Sequence, residues 1–234
     1  MDTFVEDWYN MEKGTLYGVG VGPGDPELMT LKAVKTALSC DLIAVPHRDA
    51  AKCTALKIAL GAAPALGEKP LLTVDMPMTK DAAVLEESYR RGAALLEAEL
   101  ARGKNVCFLT LGDPTVYSTY LYLHQRVTDH GYPGVIIPGV PSFCAAAAAL
   151  GISLCENDQQ LHIIPGTYTP TQALNLPGVK VMMKNNLPAT LKALRQMGAS
   201  AAMVENCGMK TQRIYRTLEE IPEESGYFSL LIVK

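Results

Sequence analysis

The first stretch of the sequence that could do chemistry is YGVGVGPGDPELMTLKAV, in which glycines recur at alternate positions: Gly18, Gly20, Gly22 and Gly24. Glycines at the end of a strand let backbone atoms approach a ligand, because no side chain stands between them. A phosphate, a dinucleotide or another cofactor could be held in this way. Asp25 and Pro26 have the types typical of a helix N-cap and first helical residue, so a plain strand-to-helix turn explains the spacing equally well.

The spacing excludes the two best-known glycine loops. A dinucleotide fingerprint needs a third glycine where this chain has Pro23 or Asp25, and a P-loop needs a lysine and a hydroxyl residue that do not follow Gly24. The alternating-glycine loop of the common methyltransferases is nearer, but Leu16 replaces its usual acidic residue. What remains is a strand that ends in a glycine-lined turn.

Two later stretches place turn residues directly after apolar runs. FLTLGDPTVYSTY leads into Gly112 and Asp113, and VIIPGVPSFCAAAAALG leads through a Pro-Gly pair to Ser142. The carboxyl ends of parallel strands share one edge of a sheet, where α/β proteins bind ligands, so we expect these loops and the glycine stretch to lie together. Each motif alone is weak.

The elements that must position these loops alternate between strand and helix. Short apolar runs predict buried parallel strands over residues 16–20, 42–46, 106–111 and 135–138. One further strand is predicted at 71–76. Helical patterns cover 26–39 and 82–102. This alternation predicts an α/β unit with a mainly parallel sheet.

The second half of the chain has a different rhythm. It predicts a helix over 189–197 and strands over 161–165, 179–183 and 201–205. The segments QRIYRTL and YFSLLIVK are close enough to pair as antiparallel neighbours, which gives a smaller mixed αβ sheet. We therefore expect an extension (1–13), an N-terminal α/β domain (14–154) and a C-terminal α/β domain (155–234), with a small-molecule cleft between the domains.

Composition narrows the class of protein. The chain has 234 residues, 48% of them hydrophobic and 19% charged, which is enough to bury a core. It has no apolar run of about 18 residues and starts with an acidic, polar segment, so we expect a soluble cytoplasmic protein without membrane contact. Six cysteines without a C-x-x-C pair predict buried thiols. A net charge of −3 argues against a nucleic-acid partner.

In their order and spacing the loops resemble the tetrapyrrole methylase family, which uses S-adenosylmethionine. The resemblance spans residues 14–234 and is carried by YGVGVGPGDPELMTLKA, LTLGDPTVYS, IPGVPSF and VENCG…QRIYRTL. LTLGDPTVYSTYLYL, PGVPSF and YFSLLIVK are similar to the branch that methylates carbon 20 of precorrin-2 or cobalt-precorrin-2 in cobalamin synthesis. The family resemblance implies a two-domain fold, a homodimer, and a methyl donor bound in a folded conformation in the cleft.

The resemblance also implies which residues contact the donor. Carried over position by position, these are Pro23, Leu111, Gly112, Asp113, Val116, Pro141 and Ser142, with Met183 and Cys207 in the second half. The donor's sulfonium is already an activated leaving group and the acceptor carbon is enamine-like. The reaction then depends mainly on holding carbon and methyl in line.

Five residues remain as candidates for binding the substrate or accepting its proton. Arg48 and Lys52 follow the second strand, and we expect them to bind carboxylates of the tetrapyrrole. Gly22 and Gly24 would leave room for substrate. A proton must leave after methylation, and His47 is the nearest candidate for helping, although a histidine at a strand end is more often structural.

Alternative functions are a methylase of the same family acting at another tetrapyrrole position, and a non-catalytic tetrapyrrole or nucleotide carrier. No protein-bound metal is expected, because the four histidines form no recognisable ligand set: His47, His124, His130 and His162. The substrate could hold cobalt or be metal-free, since a metal bound by the ring nitrogens needs no protein ligand.

Overall fold

A computed structural model describes residues 12–183 and 186–234. The chain divides into two compact units, one ending at Val140 and the other running from Pro141 to Lys234. Most of the expected N-terminal extension, residues 1–11, lies outside the described residues.

The first unit is built on a five-stranded sheet. Its strands are β1 (Leu16–Gly20), β2 (Leu42–Val45), β3 (Leu71–Thr73), β4 (Val106–Thr110) and β5 (Gly134–Ile137). They lie in the order β3-β2-β4-β1-β5 and all pairs are parallel. The predicted parallel sheet is therefore confirmed, and β1 lies between β4 and β5.

Helices cover both faces of this sheet. They are α1 (Leu31–Ser39), α2 (Thr54–Ala62), α3 (Ala82–Leu100) and α4 (Tyr120–Asp129). Helices α1 and α2 pack with one apolar cluster of the strands, and α3 and α4 pack with the other. The sequence patterns did not predict α2 and α4. Within the part of the chain that the structure describes, no helix combines the length and apolar character needed to cross a membrane.

The continuous helix predicted over 26–39 is wrong. Asp25 caps a short 3₁₀ turn, and Thr30 then accepts the backbone N–H of Ala33 at 3.1 Å and starts α1 anew. The leucine at the start of α1, Leu31, is 79% exposed, whereas the small Ala33 is buried. Helix α1 thus packs on the sheet through alanine. The predicted helix is too long because the spacing of the larger apolar residues does not correspond to its buried face.

The second unit has a mixed sheet between helices. Its strands are β6 (Leu161–Pro165), β7 (Val179–Met183), β8 (Ala201–Glu205), β9 (Arg213–Tyr215) and β10 (Ser229–Val233), in the order β6-β7-β10-β8-β9. Its helices are α5 (Ser142–Leu150), α6 (Pro170–Leu174) and α7 (Leu187–Met197). Helix α5 packs on one face of the sheet, and α6 and α7 pack on the other.

Strands β9 and β10 do not pair with each other, so the antiparallel pairing expected of their segments is wrong. Strand β8 lies between them and is antiparallel to both. The apolar run from Leu230 to Val233 is buried, as is typical of an interior strand in a sheet covered on both faces, whereas Arg213 in β9 is exposed. Strand β10 therefore lies in the centre of the sheet and β9 at its edge.

Helix α5 belongs to the second unit. Its Ala146, Ala147 and Leu150 pack against strands β7, β8 and β10. The division between units accordingly falls between Val140 and Pro141, ahead of the boundary that the sequence placed after residue 154. The small alanine face lets the helix approach the strands closely, and this packing decides to which unit it belongs.

The six cysteines differ in burial, so the expectation that all are buried is wrong. Cys40, Cys53 and Cys107 lie in the core of the first unit, while Cys144 and Cys155 are exposed and Cys207 is half-buried. All six are free thiols. The alanine-rich surroundings of Cys144 suggested burial, but its position on α5 turns away from the packed face.

Candidate active site

Three loops leave neighbouring strands at the carboxyl edge of the first sheet. The first loop (residues 21–25) follows β1, the second loop (111–119) follows β4 and the third loop (138–140) follows β5. Because β1 lies between β4 and β5, all three loops lie side by side. This is the edge at which α/β proteins bind ligands.

Backbone hydrogen bonds join the first loop to the second. The N–H of Gly22 donates to the carbonyl of Gly112 at 3.2 Å, and the N–H of Gly112 donates to the carbonyl of Gly22 at 2.8 Å. Both glycines have positive φ, 79° and 69°, where a side chain would strain the backbone. The two loops are therefore held together without any side chain.

The carboxylate of Asp113 joins the second loop to the third. Its Oδ2 accepts the N–H of Gly139 at 2.9 Å, and its Oδ1 accepts the N–H of Thr115 at 2.8 Å as well as the Thr115 hydroxyl. Asp113 is only 8% exposed, and a buried charge needs such partners. The geometry makes Asp113 a residue that positions these two loops.

The sequence analysis did not single out Gly139 or Thr115. The signals were present: a Pro-Gly pair directly after a strand and an Asp followed two residues later by Thr, which is the pattern of an Asx turn. Without the strand order, however, nothing in the sequence shows that the Asp113 carboxylate faces the third loop.

Glycines allow close backbone packing where the loops meet. A Cβ built on Gly139 would overlap the carbonyl oxygen of Gly112, and a Cβ on Gly20 would lie 2.6 Å from that same oxygen. At Gly112 itself the result is the opposite, because a Cβ there would find no atom within 4 Å. The second loop therefore leaves open space above Gly112, which fits a small ligand that approaches the backbone.

The remaining predicted residues of these loops lie in the first and second loops. Pro23 and Gly24 are buried in the first loop. Leu111 and Val116 are half-buried in the second loop, where Leu111 packs against the apolar cluster under α1 and α2. The structure thus assembles the predicted residues of the first unit at one edge of its sheet.

His47 lies at the same edge, after β2, which is the neighbour of β4. Its Nδ1 accepts the backbone N–H of Asp49 at 2.9 Å, so the neutral ring carries its proton on Nε2. A neutral imidazole has one acceptor nitrogen, and here that nitrogen is already in use. This arrangement favours a structural role for His47 over that of a general base.

The two basic residues predicted to bind substrate form ion pairs with acidic neighbours. Arg48 lies 3.2 Å from Asp75, and Lys52 lies 3.6 Å from Asp49. Both cationic side chains are 75% exposed, and such surface ion pairs contribute little to stability. The pairs can therefore exchange their partners for carboxylates of a ligand at small cost.

In the second unit, Met183 and Cys207 lie at one edge of the mixed sheet. Met183 ends β7, and Leu230 of β10 pairs with Met183 on one side and with Val204 of β8 on the other. Cys207 lies two residues after the end of β8, and both side chains border the apolar cluster under α5. Burial raises the pKa of the Cys207 thiol, which keeps it protonated at neutral pH.

Pro141 and Ser142 begin helix α5. Pro141 occupies the N-cap position, and the helix has no side-chain cap. Both residues are half-buried. They follow the third loop without a break in the sequence.

Known proteins that are similar to this chain identify its family. Residues 15–222 match the family profile of the Tetrapyrrole (Corrin/Porphyrin) Methylases. The chain is 33% identical to a precorrin-2 C(20)-methyltransferase of Sinorhizobium sp., covering 94% of this chain and 95% of the relative. It is 34% identical to a cobalt-precorrin-2 C(20)-methyltransferase of Salmonella typhimurium, covering 94% and 96%.

A solved structure shares the fold. The uroporphyrin-III C-methyltransferase of Thermus thermophilus, complexed with S-adenosylhomocysteine, aligns with a TM-score of 0.66 at 24% identity, covering 94% of this chain and 97% of that one. Fold, loop order and full-length relatives agree: the chain belongs to the tetrapyrrole (corrin/porphyrin) methylase family.

Proposed function

We propose that the protein transfers a methyl group from S-adenosylmethionine to carbon 20 of precorrin-2 or cobalt-precorrin-2, in cobalamin synthesis. The observation that carries this proposal is the match, along nearly their whole lengths, to two relatives that bear these names. The experiment below distinguishes this function from methylation at another position of the tetrapyrrole and from a non-catalytic carrier.

The first unit offers a place for the donor. The open space above Gly112 and the hydrogen-bonded loops around it fit a ligand that contacts backbone atoms. We propose donor contacts from Pro23, Leu111 and Val116 in this unit, with Asp113 holding the loops in place. In the second unit the proposed contacts are Pro141, Ser142, Met183 and Cys207.

The bound donor supplies a methyl group on a sulfonium, which leaves as a neutral thioether. The chain's own residues have to orient the donor, hold the acceptor carbon and keep water out. Positioning of this kind can lower a barrier by roughly 7–11 kcal/mol. Loops held by backbone bonds and by the Asp113 carboxylate suit this task because they are ordered before the ligand arrives.

Arg48 and Lys52 are the proposed partners of the tetrapyrrole carboxylates. Their present partners, Asp75 and Asp49, would be released when substrate binds. We propose that Gly22 and Gly24 leave room beside them.

The test uses S-adenosylmethionine labelled with carbon-13 in its methyl group, incubated in parallel with precorrin-2 and with cobalt-precorrin-2. Mass spectrometry is expected to find a single added methyl and one equivalent of S-adenosylhomocysteine, and carbon-13 NMR is expected to find the label at carbon 20. A label on a pyrrole-ring carbon would assign the protein to another position. Folded protein that forms no S-adenosylhomocysteine with either substrate would support the carrier instead.

We further propose a homodimer that acts in the cytoplasm without a protein-bound metal. The family resemblance supports the dimer. Light scattering after size-exclusion chromatography measures the mass of the assembly, and elemental analysis of the purified protein measures bound metal. A monomer that transfers the methyl group at full rate would contradict the proposed homodimer.

A further inference from the structure

A buried carboxylate lies at the edge of the second sheet where Met183 and Cys207 lie. Glu205 is the last residue of β8 and is only 7% exposed. Neither the sequence motifs nor the proposed chemistry gives this charge a role. Burial of a charge is costly unless hydrogen bonds compensate for it, so its partners indicate what it does.

Glu205 holds the segment that leads into β10. Its Oε1 accepts the N–H of Gly226 at 2.6 Å, while Arg213 of the neighbouring strand lies 3.8 Å from its Oε2 and is mostly exposed. A Cβ on Gly226 would lie 2.8 Å from Oε1, so a larger residue there would displace the Glu205 carboxylate. Next along the chain, the N–H of Asn206 donates to the carbonyl of Phe228 at 2.9 Å.

These two bonds fix one end of the turn that contains Cys207. Asn206 has a φ of 51° and Gly208 a φ of 76°, so Cys207 lies between two residues in the left-handed region. The other end is held by Gln212, whose Oε1 accepts the N–H of Gly208 at 2.7 Å. A conformation of this kind persists when surrounding bonds over-determine it.

We propose that Glu205 is a positioning residue for the methyl donor: its carboxylate fixes residues 226–228 against β8 and thereby sets the orientation of the Cys207 turn. This inference rests on the proposed function, because it takes the Cys207 turn to be part of the donor site. Glu205 need not touch the donor itself.

The test compares donor affinity with stability in three variants. Glu205→Ala removes the acceptor of the Gly226 N–H, whereas Glu205→Gln retains an oxygen of similar reach. Glu223→Ala is the matched control, since Glu223 is an exposed glutamate of the same unit that pairs only with Arg195 among the contacts described. Calorimetry with S-adenosylhomocysteine gives Kd, steady-state kinetics give KM for each substrate, and thermal unfolding gives Tm.

Glu205→Ala is expected to raise the Kd for S-adenosylhomocysteine and the KM for donor by about tenfold or more, with little change in the KM for tetrapyrrole. Glu205→Gln is expected to restore most of the affinity, and the control to match wild type. A Glu205→Ala protein with lowered Tm but wild-type Kd would overturn the inference, because the carboxylate would then be structural only.

Two arms keep the result decisive. If Glu205→Ala does not fold, Gln212→Ala releases the other end of the same turn from an exposed position; a raised Kd there supports the inference and an unchanged Kd overturns it. If wild-type protein itself binds no S-adenosylhomocysteine, the proposed function fails before the inference is reached. The two failures are therefore distinguishable.

Discussion

At the scale of single residues, the glycines of the alternating run have different tasks. A Cβ on Gly18 would overlap the ring of Tyr120, and a Cβ on Gly20 would meet the backbone of the second and third loops. Gly22 adopts a positive φ and bonds to Gly112. Alternation in the sequence predicts a glycine-lined turn, but it cannot show that two of these glycines make room for protein atoms, because those atoms come from residues about a hundred positions away.

Gly18→Ala is expected to destabilise the protein strongly. The added methyl would lie 2.0 Å from Cε1 of Tyr120, whose side chain is fully buried and cannot move aside. Overpacking of this kind costs about 1–3 kcal/mol, occasionally more. Urea unfolding of Gly18→Ala against wild type measures the loss, and a difference below about 0.5 kcal/mol would contradict the packing described.

Gly112→Ala is expected to separate stability from binding. The positive φ costs roughly 1–2 kcal/mol of stability, but the methyl points into open space and meets no protein atom. If the donor occupies that space, its Kd rises by about tenfold, equivalent to about 1.4 kcal/mol. Calorimetry on the folded variant checks this, and wild-type affinity would show that donor does not lie over Gly112.

At the scale of elements, strands were easier to predict than helices and pairings. The strands at Leu16–Gly20 and Leu161–Pro165 appear as predicted, because short apolar runs between turn residues have few other uses. Helix α4 was missed because its first four residues form one short run, YLYL, and the rest is mostly polar, so no helical spacing of apolar residues stands out. Partners across a sheet, such as β10 between β7 and β8, depend on contacts that no local pattern encodes.

The candidate site shows the same division. Loop positions followed from strand ends, so Gly112 and Asp113 could be assigned to the carboxyl edge from the sequence. The sequence could not show that His47 Nδ1 accepts a hydrogen bond or that Asp113 bonds to Gly139, because each of these depends on the direction of one backbone N–H.

Asp113→Asn is expected to loosen the connection between the second and third loops. An amide offers one oxygen where the carboxylate uses two, so either the Gly139 or the Thr115 N–H loses its acceptor. Loss of one such bond costs about 1–3 kcal/mol. Hydrogen exchange is expected to be faster than in wild type at the amide of Gly139 or of Thr115, and unchanged exchange at both amides would contradict the role assigned to Asp113.

Helix α4 is expected to make stability depend on pH through His124. The Tyr120 hydroxyl lies 2.9 Å from His124 Nδ1, and burial lowers the pKa of His124 below its ordinary value of 6.5. The unfolded histidine therefore takes up a proton at higher pH than the folded one. The contribution is fully present above about pH 6.5 and is lost as the pH falls through and below that value.

Urea unfolding between pH 8 and pH 5 checks this effect. The free energy of unfolding of wild type is expected to fall more steeply below pH 6.5 than that of His124→Gln. His130→Gln, at the exposed end of the same helix, is the control for removing a histidine. Equal slopes for wild type and His124→Gln would show that the lowered pKa has no effect on folding.

At the scale of the whole molecule, overall charge and local charge act in opposite directions on an anionic substrate. The chain has a formal net charge of −3, while Arg48 and Lys52 at the carboxyl edge can bind carboxylates of the substrate once they release Asp75 and Asp49. At 0.1 M salt, interactions beyond about 10 Å are largely screened, so the local cations decide. Raising salt above 0.1 M is expected to raise the KM for tetrapyrrole, and Arg48→Gln with Lys52→Gln is expected to flatten this dependence. A salt response identical in the double variant would exclude both residues as substrate partners.

The strand order also sets the sequence in which the protein can fold as it leaves the ribosome. Strand β1, near the start of the described chain, pairs only with β4 and β5, so it has no partner until residues 106–137 have been made. Strand β10 pairs with β7 and β8, so the second sheet lacks its centre until the last strand has emerged. In the first unit the interior strand waits for distant partners, and in the second unit the interior strand is itself the last to be made, so both sheets depend on contacts between residues far apart in the sequence, which slow folding. The nascent chain therefore carries β1 without a partner until β4 has been made, and this delay follows from topology rather than from composition.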